Sequence, residues 1–205
     1  MSNYILITAL IALAICAVFL FAFERKRPSA RDILPIVIMC VIASVGRVIF
    51  SFLPGIQPVT AIVIIMGVCY GPQTGFVTGA LCALISNVFI GHGPWTPWQM
   101  LAWGLIGIIG AGIAHFRWGR KTYVLAAYGV LAGFLYSMIM DIWTVSTLAS
   151  GLTLPIVLSV YGAGLLYNIG HAIGNAVFIV LLYKPLSKKL LRLRSKYGIL
   201  EKEIK

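Results

Sequence analysis

Long apolar runs alternate along this chain with short polar breaks, and nearly every Lys and Arg falls in a break. A helix crossing a hydrocarbon core of about 30 Å needs about 20 mostly apolar residues. That ruler predicts seven helical segments, at roughly 4–23, 33–53, 57–70, 73–90, 97–114, 122–147 and 155–183. The third is short. Joined to the fourth at Gly71-Pro72, it fits either a span of its own or one arm of a re-entrant hairpin. The first run, Tyr4 to Phe23, lacks a basic leading segment and is longer than the apolar core of a signal peptide. Followed by Glu24-Arg25-Lys26-Arg27, it predicts a retained helix.

Charge placement orients these segments. Fifteen of the sixteen Lys/Arg lie in 24–32, 115–121 and the stretch from Lys184 onward. With the N-terminus outside, those stretches and 71–72 fall inside, whereas 54–56, 91–96 and 148–154 fall outside and carry no basic residue. The positive-inside rule therefore predicts seven spans in an N-out, C-in arrangement. Composition agrees: 60% of the 205 residues are apolar and 10% charged, and the mean hydropathy is +1.00. Soluble domains carry about 45–50% and about 25%. The expected class is an all-α, multi-pass protein of a bacterial plasma membrane, with the lipid bilayer as its solvent. The net charge of +11 is topogenic; no aromatics are interleaved through a basic surface, so no nucleic acid is expected as a partner. The tail 187–205 fits either a basic amphipathic helix on the inner leaflet or a solvated helical extension.

Small residues at four-residue spacing, Gly67/Gly71, Gly75/Gly79, Gly129/Gly133 and Gly170/Gly174, predict closely packed helix backbones. Cys16, Cys40, Cys69 and Cys82 read as buried packing residues. His92, His115 and His171 fall at three different depths, so no metal set is expected. There is no Walker A pattern, HExxH or GxSxG, and no Lys inside a span. These absences leave no basis for an enzyme.

Polar residues at membrane depth are costly and mark candidate sites. Arg47 and Asp141 each lie about six residues before the outer end of their helices, roughly 9 Å deep at about 1.5 Å per residue. Equal depth and opposite charge predict an ion pair, serving either as a latch between helices or as part of a site. Asn168, His171 and Asn175 share one helical face, as a cavity wall or as interhelical bonds. The connection from Asn87 to Met100 carries Trp95, Trp98 and Gln99 among Gly91, Gly93, Pro94 and Pro97. It reads as an interfacial aromatic belt or as a shaped lid over a ligand.

Several of these stretches together resemble one family. Val45-Gly-Arg47, Leu53-Pro-Gly-Ile-Gln-Pro58, Gly71-Pro-Gln-Thr-Gly75, Ser86-Asn87 and Gly93-Pro-Trp-Thr-Pro-Trp-Gln-Met100 resemble the substrate-binding S-components of energy-coupling factor (ECF) vitamin transporters, most of all the cobalamin-specific CbrT type. The resemblance implies a six-helix substrate-binding core over 33–184, an added N-terminal helix and basic loop over 1–32, and a basic cytoplasmic tail over 185–205. It implies capture of vitamin B12 (cobalamin) outside, toppling in the membrane, and delivery inward with a transmembrane coupling subunit and two ATPase subunits. For cobalamin, Gln57, Asn87 and Gln99 would meet the carboxamides, and Trp95, Trp98 and Trp143 the ring faces. Arg47 with Asp141 would supply charge, and Asn168 and His171 the floor. The alternatives are an S-component for a flavin or queuosine precursor, and a small autonomous secondary carrier or membrane assembly protein. One departure is plain: the Ala-x-x-x-Ala pair usual on the first core helix is replaced by Cys40/Ser44 and Gly46, with Ala12/Cys16 on the added helix.

Overall fold

The computed structural model describes residues 3–148 and 153–200. Most of the 148–154 connection and the last five residues of the tail lie outside the described residues. The described chain forms seven α-helices: α1 Asn3–Glu24, α2 Ala30–Ile49, α3 Val59–Tyr70, α4 Pro72–Ile90, α5 Thr96–His115, α6 Thr122–Thr147 and α7 Leu154–Tyr197. A single 3₁₀ turn, Arg117–Arg120, joins α5 to α6. Five of them, α2, α4, α5, α6 and α7, are long and apolar enough over their described lengths to cross a bilayer.

The helix α3 is different. Its 12 residues are all buried, so it touches protein on every side. At about 1.5 Å per residue it reaches only about 18 Å, short of the hydrocarbon thickness. The missing length is irregular backbone. In residues 50–58, Ser51, Phe52 and Pro54 are exposed, whereas Gly55, Gln57 and Pro58 are buried against the bundle, where a non-helical chain is tolerated because protein covers it. Gly55 sits at φ +75°, with its α-carbon pressed against the backbone of Tyr167 and His171; any side chain there would collide with both. Gly170 faces the carbonyl of Pro54, and Gly174 faces Ile56. The glycine pair on α7 thus makes room for this segment. The expected connection at 54–56 packs against α7 through Gly55 and Ile56, while Pro54 stays exposed.

Close backbone approach organises the centre. Gly67 on α3, Gly75 on α4 and Gly107 on α5 meet one another, and a Cβ on Gly107 would lie 2.5 Å from the Gly75 carbonyl. The helices α4 and α5 run antiparallel through this contact, with Gly79 against Trp103. Gly129 and Gly133 likewise bring α6 against Asn175, Ile179 and Ala172 of α7. The helix α1 packs on α4, α5 and α6, stacking Phe19 on Phe76 at 4.2 Å. All four cysteines are buried and free. Ala12, Cys16, Cys40 and Ser44 are buried inside the chain's own core, so neither small-residue pair forms an outward docking face.

The three basic stretches gather at one end. Tyr183 donates to the carbonyl of Arg120 (2.9 Å), and Leu200 N–H to Asp32 (2.8 Å). The helix α7 does not stop near 183 but continues through Pro185 to Tyr197. Its extension lies under α3: Tyr70 donates to the Leu190 carbonyl (3.0 Å) and Arg194 to the Cys69 carbonyl (3.0 Å). A cation there meets the negative end of the α3 dipole.

Two glycines on α5 test this packing. Gly107→Ala should cost about 1–3 kcal/mol through overpacking. Gly112, whose Cβ would meet nothing within 4 Å, should accept alanine with unchanged or higher stability. Thermal denaturation in detergent, read by size-exclusion elution, separates the two outcomes.

Candidate functional site

At the end opposite the basic clusters, one guanidinium ties three elements together. Arg47 lies near the C-terminus of α2 and is 8% exposed. Its Nε donates to Gln57 Oε1 (3.0 Å). Its Nη1 donates to Ser86 Oγ and to Asn87 Oδ1 (2.8 Å). Asn87 passes the chain on, its Nδ2 donating to Thr96 Oγ1 (3.0 Å) and to Gln99 Oε1 (2.7 Å). Gln99 Nε2 then donates to the Tyr136 hydroxyl (3.2 Å).

Aromatic rings line the inner side of this chain. The Arg47 guanidinium lies 5.0 Å from the centre of the Trp103 ring, a cation–π contact in a desolvated setting. Trp103 stacks on Tyr136 at 4.9 Å, and Tyr136 meets the His171 edge at 4.9 Å. Trp103 Nε1 donates to Thr60 Oγ1 (3.1 Å), which lies 3.0 Å from His171 Nε2. His171 is fully buried, and its Nδ1 has no partner.

A cavity of about 150 Å³ opens beside Arg47. Phe50, the 53–57 segment and Tyr167 form much of its wall. Gln57 contributes an amide nitrogen, Nε2, that is buried without a hydrogen bond.

The expected residues separate into groups. Arg47, Gln57, Asn87 and Gln99 form one hydrogen-bonded network, and His171 joins it through Thr60 and Trp103. The expected Arg47–Asp141 ion pair does not form. Asp141 turns to Asn168, leaving its Oδ2 buried without a partner, while Arg47 is met by neutral acceptors. Equal depth did not bring them together because α2 packs on α3 and α4, whereas α6 packs on α5 and α7. Asn175 bonds the Gly129 carbonyl (3.2 Å) and is an interhelical tie. Trp95 is 37% exposed and lies on its own turn against Gly93. Trp98 is half-buried, with an unpartnered Nε1. Trp143 is buried but gives the network no hydrogen bond.

Thr60, Ser86, Thr96, Trp103, Tyr136 and Tyr167 were not among the expected site residues. Thr96, Gln99 and Trp103 are spaced three and four, one helical face, and that spacing could have found Trp103. Thr60 sits in a segment apolar on all sides, where periodicity carries no signal.

The described helices place a buried polar network and a small cavity near one end of an apolar bundle. The particular family follows from sequence comparison. The family model described as "ECF-type riboflavin transporter, S component" matches residues 36–188, and the chain belongs to this family of ECF S-components. It is therefore a subunit of a vitamin-uptake transporter and not an enzyme. The match takes in α2 through most of α7 and leaves α1 outside. No curated protein and no solved structure matches the chain.

Because Arg47 and Asp141 share no partner, their effects on stability should add. In a double-mutant cycle with Arg47→Gln and Asp141→Asn, the coupling energy should stay within about 0.5 kcal/mol. Thermal stability of the four purified proteins gives that number, and recovery in the double variant would restore the ion pair.

Proposed function

We propose that this chain captures a planar vitamin of the flavin class on the outer face of a plasma membrane and delivers it inward. A coupling subunit and two ATPase subunits of an ECF module would supply the energy. The observation that carries the reading is the Arg47–Gln57 pair, tied to Asn87 and Gln99, on the wall of a cavity that Phe50 and Tyr167 also line. Amide and guanidinium groups next to flat aromatic walls suit a ring that is polar at its edge and apolar on its faces. The matching model is itself named for riboflavin. The three amides keep cobalamin as the second reading.

The gathering of the basic stretches at one end supports an N-out, C-in orientation. By the positive-inside rule that end is cytoplasmic, and the Arg47 site faces outward. A cysteine at position 93 should react with an impermeant maleimide in intact cells. One at position 196 should react only after permeabilisation. Both assume a background in which the native cysteines are replaced.

Transport gives the functional test. Liposomes carrying the chain with its ECF module should accumulate riboflavin on ATP addition, and liposomes with the chain alone should bind it without accumulation. Uptake of cobalamin but not riboflavin would select the second reading. Gradient-driven accumulation by the lone chain would make it a secondary carrier.

A further inference from the structure

Among the described residues, no acidic group pairs with Arg47. Its neighbours Gln57, Ser86, Asn87 and Trp103 are all neutral, and the intramembrane acid Asp141 is turned to Asn168. A buried cation held only by neutral acceptors keeps much of its desolvation cost. An electron-rich group brought beside it relieves that cost.

The hydrogen-bond inventory says where such a group would sit. A guanidinium carries five N–H donors. Nε and Nη1 are engaged, and Nη2 makes no hydrogen bond. Gln57 accepts through Oε1, while its Nε2 is buried without a partner. Both residues line the cavity. Two donors, one of them cationic, therefore stand unspent on residues that share one wall, held in place by the bond between their own side chains.

We infer that Arg47 and Gln57 form a specificity subsite for a planar ring edge with two adjacent acceptors, carrying partial or full negative charge: the N1 and C2-carbonyl edge of a pyrimidinedione ring, or a ring carboxylate. The choice of a flavin as first probe rests on the function proposed above; the subsite itself does not. Its selectivity is against flat rings that offer faces without such an edge. Arg47 also fastens α2 to α4, so its removal confounds folding with binding. The informative change is Gln57→Glu. It keeps an acceptor for Arg47 Nε, removes the amide donor, and supplies from the protein the anion that the ligand would otherwise bring.

The experiment is isothermal titration of the purified, detergent-solubilised chain with lumiflavin and with phenazine, the latter a three-ring system without carbonyls. Wild type should bind lumiflavin at least about tenfold more tightly than phenazine. Gln57→Glu should lower lumiflavin affinity roughly 10- to 100-fold, the range of one or more charge-assisted bonds. It should leave phenazine binding unchanged and the melting temperature equal or higher. A folded Gln57→Glu protein that holds lumiflavin within about threefold of wild type would overturn the subsite and leave the flavin reading standing. If wild type binds no flavin, that reading falls, and phenazine-1-carboxylate against phenazine becomes the deciding pair. A preference for the carboxylate that Gln57→Glu abolishes would support the subsite; equal binding of the two would refute it.

Discussion

The guanidinium of Arg47 is where the polar half of this membrane protein is fastened. From one side chain it reaches the end of α2, the irregular 50–58 segment and the last turns of α4. Through Asn87 and Gln99 the same chain of bonds continues to α5 and α6. In lipid, little water is available to satisfy these groups, so most of them find partners within the protein. Breaking the arrangement at Arg47 would leave the amide oxygens of Gln57 and Asn87 without their donor. That dependence makes the site part of the fold, not an addition to it.

Much of the architecture is legible in the sequence because hydrophobicity is read one helix at a time. The long apolar runs mark α1, α2, α4, α5 and α6 to within a few residues, and the glycine spacings mark where backbones touch. Two features escape that reading. The burial of α3 on every side cannot be told from lipid exposure, since a membrane helix is apolar in either setting. The length of α7 is missed because its extension is basic and reads as a tail; its anchorage comes from Tyr70 and from the Cys69 carbonyl, partners more than 100 residues away in sequence.

The site is legible in a similar, partial way. Residue types that are costly in a membrane, Arg47, Gln57, Asn87, Gln99 and His171, stand out against an apolar background and do meet. Their pairing does not. Depth along a helix places Arg47 level with Asp141, but lateral position and the fold of the intervening segment decide which groups touch. Gln57 takes the place beside Arg47 because Gly55 lets the chain turn against α7.

That turn links the short helix, the glycine pair on α7 and the cavity as consequences of one constraint. Irregular backbone at membrane depth persists only where protein covers it or where it lines a cavity; Gly55 and Gln57 are covered, and residues 53–57 line the space beside Arg47. Gly170 and Gly174 accommodate Pro54 and Ile56 on one side of the segment. On the other, the same residues wall the space beside Arg47. Had α3 begun a turn and a half earlier, helical geometry would have carried Gln57 around the axis and satisfied this backbone internally. The cavity wall would then consist of helix surface. The segment gives up regular helix so that a side-chain amide and a cation can share one wall, and the surrounding close-packed glycine contacts hold it there.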